Sequence, residues 1–383
     1  MSSKISILTN GIYQFFDYAN ELEKTNNLVK IYSQQDILRI LKWKKSITLL
    51  KINTFKYFFL SKKKKKEYLQ KKILEDSSNI IISHPGICEE VFSKTKKLKI
   101  LDLNHFNWDD YTVKFLRKKK VRLKYFNIYK PLSGKKFIME RTELKKRLPN
   151  KIFEKINFNN IEKTIRGCEL ADIVRVPTRN IYKSLIAAGF PRKKTQFIPY
   201  GFDEKIFYPD LSIKKNFIIY AGTISYRKGW PSLKKLILLW DNDNYEFIII
   251  GGIQNEIKND FFNTLKICKN VKYLGQPFFQ ETFAKYLRKA SLKIFPSYFE
   301  GFGLTVLQSL ASGTPVISSY SSCAPDLIKN NYNGLLLDHY DMKIWIDQIF
   351  KILQDKEKIK TMFRNSSYSV KKLQWKNYTS KIT

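Results

Sequence analysis

The segment best equipped for chemistry is Pro296-Ser297-Tyr298-Phe299-Glu300-Gly301-Phe302-Gly303-Leu304-Thr305-Val306-Leu307-Gln308. The apolar run Leu292 to Phe295 before it predicts a strand. Leu304, Leu307 and Ala311 recur at helical spacing behind it, so Gly301, Phe302 and Gly303 form a strand-to-helix loop. A helix start carries orphan N–H donors and the positive end of the helix dipole. Both favour an anion, and glycines let a diphosphate approach the backbone. Glu300 can accept hydrogen bonds from sugar hydroxyls, and Gln308, about two helical turns further on, can hydrogen-bond a ribose. A buried strand–turn–helix with an ordinary surface glutamate has the same pattern.

A second segment, Tyr220-Ala221-Gly222-Thr223-Ile224-Ser225-Tyr226-Arg227-Lys228-Gly229-Trp230-Pro231, ends another apolar run and turns through Gly222, with Pro231 suited to a first helical position. Arg227 and Lys228 then project at the same sheet edge as the Glu300 loop. Two fixed cations there can neutralise a diphosphate leaving group as charge builds on it. In so basic a chain they also read as two more solvated residues. Two of the three histidines follow apolar runs, His84 after Ile80 to Ser83 and His105 after Ile100 to Asn104. Gly11 follows the first run alone, without the Gly-x-Gly-x-x-Gly fingerprint, which disfavours a nicotinamide or flavin enzyme.

These loops need a scaffold that gathers strand ends at one edge. Short runs of Ile, Val, Phe and Leu alternate with longer amphipathic stretches such as Tyr13 to Lys24, the pattern of parallel strands joined by crossover helices. The first-half strand candidates are Ile5 to Thr9, Leu28 to Tyr32, Ile47 to Leu50, Ile80 to Ser83, Lys99 to Leu103, Ile173 to Val176 and Gln196 to Pro199. The second half has Phe217 to Ala221, Glu246 to Ile250, Val271 to Leu274, Leu292 to Phe295, Pro315 to Ser318 and Gly334 to Leu337. Doubly wound sheets of this kind bind ligands beyond the carboxyl ends of their strands. At 383 residues the chain exceeds what one core usually supports, and Pro199, Gly201 and Pro209 punctuate a boundary near Tyr208.

Composition narrows the partners. Lys and Arg number 70 against 34 Asp and Glu, a net charge of +36 that favours anionic ligands. A lysine-biased composition would also spread charge over solvated faces without selecting any ligand. Phe55 to Leu60 followed by Lys62 to Lys66 places aromatic beside basic residues, as peripheral contact with an anionic membrane would use. No nucleic-acid-binding module is recognised, so nucleic acid is not expected. Cys88, Cys168, Cys268 and Cys323 form no Cys-x-x-Cys pair, and no run approaches a membrane span of about 20 apolar residues, so a reducing cytoplasm is the expected setting.

With these motifs the chain resembles the retaining GT-B glycosyltransferases of the family 4 type, the glycosyl transferases group 1. The likeness runs on through Ala171 to Thr178, Phe197 to Asp203 and Asn333 to Leu337. It implies two Rossmann-like doubly wound domains facing each other across a cleft: an acceptor-side domain at 1–207, a donor domain at 208–364, and a segment 365–383 crossing back with Trp375 as anchor. It further implies transfer of a sugar from a nucleotide-diphosphate donor, with no cofactor, to a glycan or lipid-linked acceptor in surface polysaccharide synthesis. The family's glutamate, seven residues, glutamate signature becomes Glu300 and Gln308, and its Gly-Arg becomes Gly222-Thr223, while Lys228-Gly229 is kept. By resemblance Glu300, His105 and Lys228 act in catalysis. The donor is bound by Gly11, Arg227, Lys228, Leu274, Gly275, Glu300, Gly301, Phe302, Gly303, Leu304, Thr305 and Gln308, with Leu274 and Gly275 near the base. The acceptor is expected against loops between Phe106 and Arg141. Asp241-x-Asp243 falls at the opposite sheet edge, and with cations at the leaving group no metal is expected. The two departures keep a second reading open, a non-catalytic nucleotide-sugar or glycan-binding protein on the same scaffold.

Overall fold

The computed structural model describes residues 3–9, 14–33, 62–104, 158–210, 212, 217–277, 279–298, 300–338 and 341–382. Gly11, His105, the Ile47 to Leu50 strand candidate, the Phe55 to Leu60 aromatics and the 106–141 stretch lie outside these residues. The chain divides into two compact units, Met1–Gly201 with Trp375–Thr383, and Phe202–Gln374.

Unit 1 holds β1 (Ile5–Thr9), β2 (Leu28–Ser33), β3 (Ile80–Ser83), β4 (Leu98–Asp102), β5 (Ile173–Val176) and β6 (Thr195–Phe197). They form a parallel sheet in the order β2-β1-β3-β4-β5-β6. Every residue of β1 and β3 is buried, which is why these strands read as continuous apolar runs rather than as an alternation. Among the described residues its helices include α1 (Phe15–Lys24), α2 (Lys62–Glu75), α3 (Glu89–Lys94), α4 (Phe158–Leu170) and α5 (Arg179–Ala187). α1 buries Phe15, Phe16, Tyr18, Ala19 and Leu22 along one stripe. α5 starts where the Thr178 side chain accepts from the Ile181 N–H at 3.2 Å.

Unit 2 holds β7 (Phe217–Ala221), β8 (Glu246–Ile250), β9 (Val271–Tyr273), β10 (Leu292–Phe295), β11 (Val316–Ser318) and β12 (Gly334–Leu336). All are parallel, in the order β12-β11-β10-β7-β8-β9. Between them run α6 (Trp230–Leu238), α7 (Lys258–Leu265), α8 (Gln280–Lys289), α9 (Leu304–Ala311), α10 (Ala324–Leu327), α11 (Met342–Gln354) and α12 (Lys356–Val370). Trp230 and Trp345 are among the largest fully buried side chains and belong to this unit's core. Asp341 and Asp355 cap α11 and α12 through side-chain oxygens. Among the described residues no helix is long and apolar enough to cross a membrane.

The last helix, α13 (Trp375–Thr379), belongs to unit 1. Trp375 and Tyr378 pack their rings on Tyr18 and Tyr200, with centroids 5.2 to 6.1 Å apart. Beneath them lies Asp102, a buried carboxylate at the end of β4. It accepts from the Tyr18 hydroxyl at 2.9 Å and from the Tyr378 hydroxyl at 3.3 Å. Burial pushes its pKa up, against the pull of Arg175, its register partner on β5.

Candidate functional site

β7 and β10 lie side by side at the centre of the second sheet, yet β8 and β9 extend the sheet from β7 in one direction while β11 and β12 extend it from β10 in the other. Loops leaving two such neighbours diverge and open a crevice at their carboxyl ends. Arg227 and Lys228 stand on the loop after β7, and Glu300 on the loop after β10.

The two loops are laced by backbone. The Tyr298 N–H donates to the Arg227 carbonyl at 3.1 Å, and the Ser297 hydroxyl reaches the same oxygen at 3.4 Å. Gly229, at φ +83°, passes so near that an added Cβ would stand 2.0 Å from the Pro296 carbonyl oxygen, so no side chain fits there. A third loop joins in: the Glu300 N–H donates to the Ser321 carbonyl at 3.0 Å, and the hydroxyls of Ser319 and Ser321 both donate to the Ser297 carbonyl.

Within this frame the Glu300 side chain is only 6% exposed. It bonds the Lys228 ammonium, accepts from the Ser297 hydroxyl at 3.1 Å, and lies 3.6 Å from the Arg227 guanidinium. Lys228 is itself 17% exposed, whereas Arg227 is 52% exposed and forms the open side of the cluster. Burial lowers the Lys228 pKa, the Glu300 charge pushes it back up, and Arg227 lowers it again. The product is a carboxylate held by two cations at a sheet's ligand edge.

Gly303 sits at the N-cap of α9 in the left-handed region, φ +85°, with no side-chain cap bond. Leu304 and Thr305 carry the first helical N–H groups, which a bound anion can satisfy. Phe302 is buried, and its carbonyl takes the Cys323 N–H at 2.7 Å. Gly301, Leu304, Thr305 and Gln308 are half-buried around this start.

Leu274 and Gly275 stand apart, beyond edge strand β9. The link back to the centre is backbone, from the Gly251 N–H to the Gly275 carbonyl at 2.8 Å and from the Gly222 N–H to the Ile250 carbonyl at 2.9 Å. Among the described residues no hydrogen bond or ion pair joins Leu274 or Gly275 to Glu300.

Three contributors escaped the sequence reading. Ser297 and Ser321 act across loops, which spacing does not encode. Lys293 lies inside the apolar run read as β10 and is wholly buried, its Nζ without a hydrogen-bond partner among the described residues.

Residues 202–369 match the family described as Glycosyl transferases group 1. An uncharacterized glycosyltransferase of Methanocaldococcus jannaschii is 28% identical over 160 residues, 42% of this chain and 44% of that protein, so the chain aligns with less than half of this curated relative. Similarity to solved structures is longer. A sucrose-phosphate synthase of Thermosynechococcus elongatus superposes with a TM-score of 0.70 at 17% identity, covering 99% of this chain and 97% of that one. Anabaena HepE, solved with UDP and glucose, gives a TM-score of 0.68 at 13% identity over 99% and 98%. At these identities the likeness speaks to fold: two parallel-sheet, Rossmann-like α/β units with GT-B glycosyltransferases as structural neighbours. Glu300, Lys228 and Arg227 therefore lie within the residues that match the Glycosyl transferases group 1 family.

Proposed function

We propose that the chain is a glycosyltransferase that moves a sugar from a nucleoside-diphosphate donor to an acceptor hydroxyl of a glycan or lipid-linked precursor. One observation carries this reading: Glu300, the cations Lys228 and Arg227, and the uncapped start of α9 meet at the switch point of a parallel sheet. In the structure Glu300 pairs with both cations and offsets one of their two charges. A diphosphate competes for Lys228 and Arg227 and frees carboxylate oxygens to accept from sugar hydroxyls. As the glycosidic bond breaks, negative charge grows on the departing diphosphate. Fixed cations and the N–H groups of α9 hold that charge more strongly than they hold the ground state, which lowers the barrier. They do what a divalent ion would otherwise do, so the reading includes transfer without added metal and, by family resemblance, retention of configuration. The UDP and glucose bound by the HepE neighbour support a donor of this class.

Thermal stabilisation by a panel of nucleoside diphosphates and their sugars, with and without magnesium, tests the reading on the wild type and on Lys228→Ala. A shift with one nucleotide family, independent of magnesium and lost in the variant, is expected. No shift with any of them rejects the donor site. A non-catalytic protein on the same scaffold is the second reading, favoured by Gln308 and Thr223 at places where the resembled family has Glu and Arg. Release of sugar from the nucleotide that stabilises the protein separates the two.

A further inference from the structure

Lys293 is the second residue of β10, and successive strand residues face opposite sides of the sheet, so its side chain shares a face with that of Phe295. The Lys293 ammonium nitrogen lies 5.2 Å from the Phe295 ring centroid, and that of Lys228 lies 5.8 Å from the same centroid. An added Cβ at Gly303 would meet this ring at 3.4 Å, so the ring also backs the start of α9. The Lys293 and Lys228 ammonium groups thus both lie against the Phe295 ring, at the end of the strand whose following loop carries Glu300.

The charged and titratable groups around it are Lys228 from the loop after β7, Glu300 from the loop after β10, and Cys323 at the start of α10. Burial holds the Cys323 thiol neutral, and Glu300 is already engaged by Lys228 and Arg227. A charged Lys293 would therefore make a third cation against one carboxylate. Burial, then the nearby Lys228 charge, push its pKa well below the ordinary lysine value, and no hydrogen bond offsets them. A diphosphate at Lys228 and Arg227 reverses the sign of the local field.

We propose that Lys293 is a proton-accepting positioning residue of the donor site: its buried amine is neutral without donor and takes one proton from solvent when a diphosphate docks above Phe295. Donor affinity then falls as pH rises. The proposal rests on the donor-site reading above.

Titration calorimetry with UDP tests it, run in two buffers of different ionisation heat at about pH 8, above the terminal phosphate ionisation near ~6. The expected result is uptake of about one proton per UDP, with the dissociation constant rising by up to about tenfold per pH unit. Lys293→Met keeps the aliphatic stem and is expected to bind UDP with no proton uptake and a flat pH profile. Lys293→Gln serves equally should the Met variant fold poorly. Wild-type binding with no buffer dependence overturns the proposal, as does uptake that survives in Lys293→Met or Lys293→Gln. If UDP, GDP and ADP all fail to bind the wild type, the donor-site reading fails and takes this proposal with it.

Discussion

Each unit buries a carboxylate at the carboxyl end of its sheet, and the two are unlike. Asp102 in unit 1 has its neighbours supplied by the chain itself: hydroxyls from Tyr18 and Tyr378, the charge of Arg175, and an aromatic roof. Glu300 in unit 2 keeps its side chain only 6% exposed, yet it faces two cations, one of them half open to solvent, with a third basic group, Lys293, close by. Low side-chain exposure alone therefore does not separate a structural carboxylate from one proposed to work on a ligand. Charge balance does. Asp102 has one cation opposite it, whereas the Glu300 cluster carries a surplus of basic groups and a helix start with no side-chain cap.

This contrast can be broken most forcefully at Asp102. Asp102→Ala leaves Arg175 buried without a counter-charge and is expected to destabilise unit 1 by about 3–5 kcal/mol in urea unfolding. Nucleotide affinity of unit 2 should be untouched in the molecules that stay folded; lost affinity with unchanged stability would reverse the assignment. Lys228→Ala should do the opposite, lowering kcat/KM for the donor by about 10²–10³-fold while unfolding changes little, as initial rates and urea curves on one preparation would show.

Lys293→Met sharpens the contrast within unit 2. Replacing an unpartnered buried amine by an apolar side chain of similar volume is expected to stabilise the protein by about 1–3 kcal/mol near neutral pH. The pH dependence has a definite sign. The unfolded chain keeps the Lys293 proton up to about 10.5 and the folded chain releases it at lower pH, so unfolding takes up protons in that window. The penalty is full below the folded value and shrinks as pH rises towards 10.5, so wild-type stability should climb relative to the Met variant. The smallest effect belongs to Tyr378→Phe, which removes one of the hydroxyls on Asp102 and should cost about 0.5–1.5 kcal/mol in the same assay.

Much of the fold was legible because buried parallel strands announce themselves as unbroken apolar runs. Phe217–Ala221, Glu246–Ile250 and Leu292–Phe295 were read with the ends they have in the structure. Edge strands carry fewer buried positions and were read less well: β6 is Thr195–Phe197 where Gln196 to Pro199 was expected. The Glu300 loop and the Arg227-Lys228 pair were legible through glycine and proline punctuation. That they meet in an ion-paired cluster follows from the strand order β10-β7, which no local pattern contains. Lys293 was hidden because an apolar run does not say what fills the space above each face. The Asp102–Tyr378 contact was hidden by a separation of 276 residues.

The return of α13 to unit 1 bears on the order in which the protein can be built. A chain emerging from the ribosome presents residues 1–201 first, and Phe202–Gln374 can close into its own core as it follows. Unit 1 has no Tyr378 hydroxyl for Asp102 and no Trp375 ring for Tyr18 and Tyr200 until that later unit has been synthesised. Of the two units, the one made earlier is thus finished later. A released chain that stops at Gln374 should carry a protease-resistant unit 2 together with a unit 1 that proteases still cut.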